Sequence, residues 1–246
     1  MIIWAGTSSD EVGMIVEHLP SILVPKKSQE VQVVPGRNGN VVLEDGSFED
    51  YEQPYSVFLD AKEIGGIQRV MPRVVDWLLG HEGYQRLEDT YFPDVYRKAY
   101  YSGGSEFLNI FGEYGEGTLT FVCAPAKYFK MGERPVPMIS GGKLFNPSAF
   151  AAHPTFVFEM SSPAGTGSIT VNDSTVNIVS NGQSYEEEMV TVYLDTARHK
   201  AYTSGNLNLN NKISGDYEAL KLGKTSVISY TGDVQNLRVI PNWWTV

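Results

Sequence analysis

Few side chains in this sequence stand where reaction chemistry would need them. Cys123 is the single cysteine, so no intrachain disulfide can form. It lies in the apolar run Leu119–Pro125, "LTFVCAP". A nucleophilic thiol needs a base or a positive neighbour, and this setting reads instead as core around an inert thiol. His18, His81, His153 and His199 are far apart and show no HxxxH or HxxE spacing, so no locally built zinc site is expected. Carboxylates are plentiful, and any fold could bring two together as a glycosidase requires, but none has a distinctive context. Glu186–Glu188, in "YEEEMV", read as a solvated turn at the start of a strand. No GxSxG elbow suggests a hydrolase. No catalytic residue, metal ligand or cofactor site is therefore assigned.

The stretch that most resembles a ligand loop is "VVPGRNGNVVLEDGSFEDYE", Val33–Glu52. A phosphate loop of the Walker type needs Gly, four residues and then Gly-Lys-Ser/Thr; here Gly36-Arg37-Asn38-Gly39 runs into Asn40-Val41. A dinucleotide fingerprint would open a helix, and no helical pattern follows. Asn38-Gly39 between β-type runs instead predicts a type I′ hairpin turn, with φ > 0 at both central residues. Asp45-Gly46 predicts the next tight turn. Arg37, Asn38, Gly39, Asp45 and Asp50 are therefore candidates for a contact surface rather than for a phosphate site, Arg37 offering a fork suited to a carboxylate.

Near the C-terminus stand adjacent tryptophans, Trp243 and Trp244. On a strand, neighbours point to opposite faces. One is expected in a core and the other at an edge or a partner contact; stacking on a sugar is the alternative.

The elements that must position these residues are mostly strands. Short apolar runs such as "MIIWAG", "VGMIVEHL", "EVQVVP", "YSVFLDA", "HPTFVFEM", "GSITVND", "MVTVYLDT" and "TSVISYTG" are separated by turn signals. That rhythm predicts an all-β sandwich or barrel. One segment differs: Ile67, Val70, Met71, Val74, Val75, Leu78 and Leu79 share one helical face. Pro72 is costly inside a helix, so a helix over about 69–80 is expected, with Pro72 in its first turn and Gly80 ending it at φ > 0. Its stripe should plug one face or end of a sheet. Gly132–Phe150, "GERPVPMISGGKLFNPSAF", is rich in proline and glycine and predicts a domain boundary near residue 142.

The formal net charge is −10, which argues against a protein that wraps nucleic acid. The charge is uneven: residues 1–140 hold 12 Lys/Arg and 20 Asp/Glu, residues 141–246 hold 7 and 9. The N-terminal segment has no basic region followed by an apolar core, so no secretory signal is expected. No apolar run reaches the roughly 18 residues of a membrane helix.

Several stretches, in order, resemble one family. They are the "VPGRNGNVVLEDGSFEDYE" hairpin, the helix ending "VVDWLLG", the strand "YFPDVYRKAYYSG" and "GTLTFVCAPAKY". In the second half they are "FNPSAFAAHPTFVFE", "VYLDTARHKAYTS", "SGDYEALKLGKTSVISYTG" and "IPNWWTV". Together they resemble the distal tail protein of long-tailed bacteriophages of Gram-positive bacteria. The resemblance implies a mainly β protein of two β-sandwich domains. Residues 1–142 would be a ring-forming domain with one helix, related to tail-tube proteins, and residues 143–246 a galectin-like jelly roll.

It further implies a homohexameric ring in the virion tail, made in the host cytoplasm. The ring would join the tail tube protein to tail-tip proteins and let DNA pass without specific binding, with no membrane contact, cofactor or catalysis. Galectins hold sugar through a His-Asn-Arg set, an Asn and a Trp; here His199 is followed by Lys200 and the tryptophans lie at the end. A carbohydrate-binding, lectin-like module for a host receptor is the alternative function.

Overall fold

The structure, a computed structural model, describes residues 1–161, 165–179 and 189–246. Glu186–Glu188 lie outside the described residues. The chain divides into two compact units, residues 1–127 with Val246, and residues 128–245. Gly132–Phe150, where the sequence suggested a break near 142, falls wholly in the second unit. Its prolines and glycines punctuate two short strands there instead of forming a linker.

The first unit contains β1 (Ile2–Trp4), β2 (Thr7–Ser8), β3 (Met14–Val16), β4 (Lys27–Gln32), β5 (Val41–Phe48), β6 (Tyr51–Asp60), α1 (Ile67–Leu79), β7 (Gln85–Asp89), β8 (Val95–Tyr100), β9 (Phe107–Ile110) and most of β10 (Tyr114–Phe129). Its main sheet runs β2-β1-β7-β8-β10-β6-β3, with β9 also on β10. β6 and β10 are its spine, paired antiparallel from Tyr51↔Cys123 to Asp60↔Tyr114. Strand alternation sends Tyr55, Val57 and Leu59, and Leu119, Phe121 and Cys123, into one core with Ile2, Trp4 and Leu87. Cys123 is fully buried, and burial pushes its thiol up to about 12, as an inert core thiol requires.

Helix α1 covers this core with Ile67, Val70, Val74, Trp77 and Leu78. It differs from expectation in three respects. It begins at Ile67, not Arg69, because Gly65 and Gly66 sit at φ 93° and 101°, outside the helical region, and the Ile67 amide is already satisfied by the Gly112 carbonyl at 2.9 Å. Pro72 is therefore interior; it and Gln68, whose carbonyl loses its helical donor, both lie on the solvent side, where water can replace the bond. Gly80 ends the helix at φ −71°, not in the left-handed region. Its missing side chain serves a close approach, since a Cβ would lie 2.4 Å from the Asp76 carbonyl oxygen. The buried stripe is also rotated: Trp77 is inside, its indole N–H donating to the Thr7 carbonyl at 3.2 Å, whereas Val75 and Leu79 are exposed. Gly115 lets the helix sit close on β10, for a Cβ there would meet Ile67 Cδ1 at 2.8 Å.

The second unit is a sandwich of two five-stranded sheets. Its strands are β11 (Val136–Pro137), β12 (Gly142–Phe145), β13 (Thr155–Ser161), β14 (Thr166–Val171), β15 (Ser174–Val179), β16 (Met189–Asp195), β17 (Lys200–Thr203), β18 (Ile213–Ser214), β19 (Thr225–Gly232) and β20 (Gln235–Ile240); the short β21 (Trp244–Thr245) lies outside both sheets. One sheet is ordered β11-β20-β13-β16-β17, the other β12-β19-β14-β15-β18. Phe156, Phe158, Met160, Leu194 and Val239 from the first meet Ile169, Val171, Val176, Ile178 and Ile228 from the second in one core. The protein is thus mainly β, with two β-sandwich domains and one α-helix in the first.

Candidate functional site

Strands β4 and β5 form a two-stranded sheet that, among the described strands, pairs with nothing else. Gln32 faces Val41, Val31 faces Val42 and Glu30 faces Leu43, so the connecting loop spans residues 33–40. Asn38-Gly39 therefore do not form the expected two-residue type I′ turn. Gly36 and Gly39 have φ 78° and 87°, but Asn38 is not in the left-handed region, and one left-handed residue does not make that turn. The loop is wider because pairing stops at Gln32↔Val41, and Pro35 within the loop has no N–H to extend the ladder. Arg37, Asn38 and Gly39 are exposed at its tip.

Asp45-Gly46 is not a turn either. β5 runs on through it, and the register jumps from Gln29↔Glu44 to Lys27↔Phe48, which makes a β-bulge. Gly46 supplies φ 81°, and Asp45 Oδ1 accepts from the Ser47 amide at 2.8 Å and from its hydroxyl at 2.7 Å. Those Ser47 bonds hold the Asp45 carboxyl below its ordinary range. The chain returns through Glu49-Asp50, and Asp50 accepts a hydrogen bond from the Tyr84 hydroxyl, which that bond pushes up to about 12. The five candidates thus occupy three places: the tip (Arg37, Asn38, Gly39), the bulge (Asp45) and the base (Asp50). They are not one cluster.

The arm also exposes residues that the sequence reading did not single out. Val31, Val33, Val34, Val42 and Leu43 are all exposed, as are Leu19, Ile22 and Val24 in the segment leading to it. The available signal was an alternation of apolar residues with no second apolar run to cover it. A two-stranded sheet alone is marginal in water; Val31 and Val42 share one face and Leu43, the next residue of β5, lies on the other, so both faces gain from a partner. Both strands also present unpaired edges. The arm can hold another chain by apolar contact and strand addition.

The remaining candidates lie in the second unit. Trp243 is buried in the second core, and Gly132 lets it approach, since a Cβ there would lie 2.5 Å from its backbone N. Trp244 is half-buried, tilted against Phe150 at 4.7 Å, with its indole N–H donating to the Ala151 carbonyl at 2.9 Å. His199 Nε2 lies 3.3 Å from Glu218 Oε1, and His153 is partly buried, its pKa lowered by that burial. Among the described residues no group of three or more His, Cys, Asp or Glu could hold a metal, and no helix is long and apolar enough to cross a membrane.

No protein-family model matches this chain, and no curated protein matches it. Solved structures do. The Dit protein of SPP1, a paradigm of the hub adsorption apparatus in Gram-positive-infecting phages, aligns with a TM-score of 0.74 at 15% identity over 97% of this chain and 96% of its own. A chain of the phage p2 baseplate in its activated conformation with Sr aligns with a TM-score of 0.51 at 11% identity, over 92% and 89%. Nearly the full length of this chain therefore has the fold of the phage Dit hub protein, the fold that the resemblance of its sequence to distal tail proteins implies.

Proposed function

We propose that this protein is a non-enzymatic hub at the distal end of a phage tail. Copies form a hexameric ring that joins the tail tube to tip or baseplate proteins and lets DNA pass. The β4–β5 arm carries the proposal: it exposes Val31, Val33, Val42 and Leu43, pairs with no other described strand, and is incomplete without a neighbour. Arg37 at its tip is available to a carboxylate of the next copy. Part of the acidic surplus of residues 1–140 faces the channel, where like charge keeps DNA from adhering. The second, galectin-like domain belongs to the host-attachment apparatus of the virion. The similarity to the SPP1 Dit fold supports this assignment.

Light scattering across protein concentration, followed by negative-stain imaging, tests it. A mass near six copies and rings with a central hole are expected. A strict monomer at every concentration, with no rings, overturns it, and a neutral or basic lumen in an imaged ring removes the electrostatic part.

A further inference from the structure

The edge strand β17 and the segment after it build a polar cleft of about 400 Å³ in the second unit. The sequence there is "KAYTSGNLNLNN", Lys200–Asn211. Ala201 and Thr203 point into the core, as do Leu207 and Leu209, which fixes the alternation on both sides of the turn. Tyr202 and Asn208 bridge, the Thr203 amide donates to the Leu207 carbonyl at 3.0 Å and the Leu209 amide to Ala201 at 2.8 Å. With every second side chain buried, Lys200, Tyr202, Asn206, Asn208 and Asn210 must share the outward face, and Arg198 completes the lining.

The cleft presents donors. Asn210 Oδ1 accepts from the Ala201 amide at 2.6 Å, and Asn208 Oδ1 accepts from the Asn210 amide at 2.8 Å. With those oxygens committed to the backbone, both Nδ2 groups are turned the other way. Beside them stand an ammonium and a guanidinium, and no carboxylate lines the cleft. Asp195 lies outside the lining; its Oδ2 is 3.8 Å from Arg198 Nε, and the arginine side chain stays 75% exposed. In a chain of 29 acidic and 19 basic residues these two cations, offset in part by Asp195 opposite Lys200 on β16, give the cleft a local attraction for anions. The aromatic component is Tyr202. One side of its ring is stacked on its cross-strand partner Tyr193, at 5.2 Å and 7°, which leaves the opposite side on the cleft.

We propose that this cleft binds an acidic saccharide. The sugar ring lies against Tyr202, hydroxyl oxygens accept from the asparagine amides, and a carboxylate or phosphate meets Lys200 and Arg198. The assignment does not depend on ring formation.

Saturation-transfer NMR on the full chain tests it, with digalacturonate, glucose 1-phosphate and cellobiose as probes. Saturation transfer from the protein to the ring protons of at least one acidic probe is expected, and the stronger of the two distinguishes carboxylate from phosphate as the recognised group. Lys200→Glu, an exposed change that leaves the fold intact by circular dichroism, should weaken binding about tenfold. Tyr202→Ala should abolish the transfer, while Tyr202→Phe retains it. No transfer from either acidic probe, equal transfer from cellobiose, or transfer indifferent to Lys200→Glu and Tyr202→Ala overturns the proposal.

Discussion

The body of the first unit and its β4–β5 arm both violate the rule that apolar residues go inside and charges outside, and they resolve the violation differently. In the body, Asp89 and Arg97 are buried with an ion pair of 2.8 Å. Asp89 Oδ2 also accepts from the Tyr55 hydroxyl at 3.0 Å, and Oδ1 accepts from the amides of Tyr91 and Phe92 at 3.0 and 2.8 Å. The guanidinium lies 5.3 Å from the Phe92 ring centre. The inversion is largely compensated on the spot, with Arg97 Nε left buried and without a hydrogen-bond partner. In the arm, apolar side chains face water and nothing in the described chain covers them. A locally repaired inversion serves the fold; an unrepaired one leaves apolar surface exposed, which is where the proposed contact is placed.

That contrast is open to direct attack, and the largest effect should come from the buried pair. Arg97→Met leaves Asp89 charged and without its main partner, which costs about 3–5 kcal/mol. Urea unfolding should register that loss as a lower midpoint. Adding Asp89→Asn should restore part of it, because the amide oxygen still accepts from the Tyr91 and Phe92 amides. A single variant as stable as the parent would show that the pair is not desolvated.

The arm should behave in the opposite way. Val31 and Val42 are cross-strand partners on one face. Changing them to Lys and Glu should leave the unfolding midpoint within about 0.5 kcal/mol, as for other surface sites. The same change should shift the mass by light scattering to that of a monomer. If stability collapsed instead, the arm would belong to the core.

The two regions also differed in how far the sequence disclosed them. Short apolar runs disclosed β6 and several strands of the second unit, the family resemblance supplied β10 and the second sandwich, and the single apolar run around Cys123 read correctly as core. Periodicity found α1 and its buried Ile67, Val70, Val74 and Leu78 but missed Trp77, which anchors through a hydrogen bond to Thr7, far off in sequence. The arm was legible as turn chemistry but not as turn geometry. Asp-Gly serves a bulge as readily as a turn, and only the register of the opposite strand decides between them. The Asp89–Arg97 pair was invisible because partners in a buried network are chosen by the fold. The cleft had a trace in "NLNLN", a period of two that fixes which side chains share a face but not what lies beside them.

Alkaline pH should sharpen the comparison with a smaller effect. Burial pushes the Tyr51 hydroxyl up to about 12, and burial raises Tyr55 as well. The folded state then holds those protons more tightly than the unfolded chain, whose tyrosines ionise near 10. Cys123, whose thiol ionises near 9 when exposed and is pushed up to about 12 by burial, adds to the loss, so stability should be level below about pH 9 and fall as pH rises toward 12. Tyr51→Phe should flatten part of that fall in thermal melts followed by circular dichroism. The arm has no tyrosine between Lys27 and Phe48, so Val31→Lys with Val42→Glu should leave the alkaline slope unchanged.

The smallest effect tests the bulge. Gly46 stands at φ 81° with open space where a Cβ would go, so Gly46→Ala introduces no clash and costs only backbone strain, about 1 kcal/mol. The arm carries no part of the core, so that strain should not reach the global unfolding midpoint. It should appear as faster amide exchange in β4 and β5 and as weaker self-association, because a slipped register moves Val31 and Val42 to the other face together. Faster exchange with unchanged assembly would mean that the arm's edge, rather than its apolar face, makes the contact. Slower exchange would mean that the bulge is not the register lock that the Asp45–Ser47 bonds make of it.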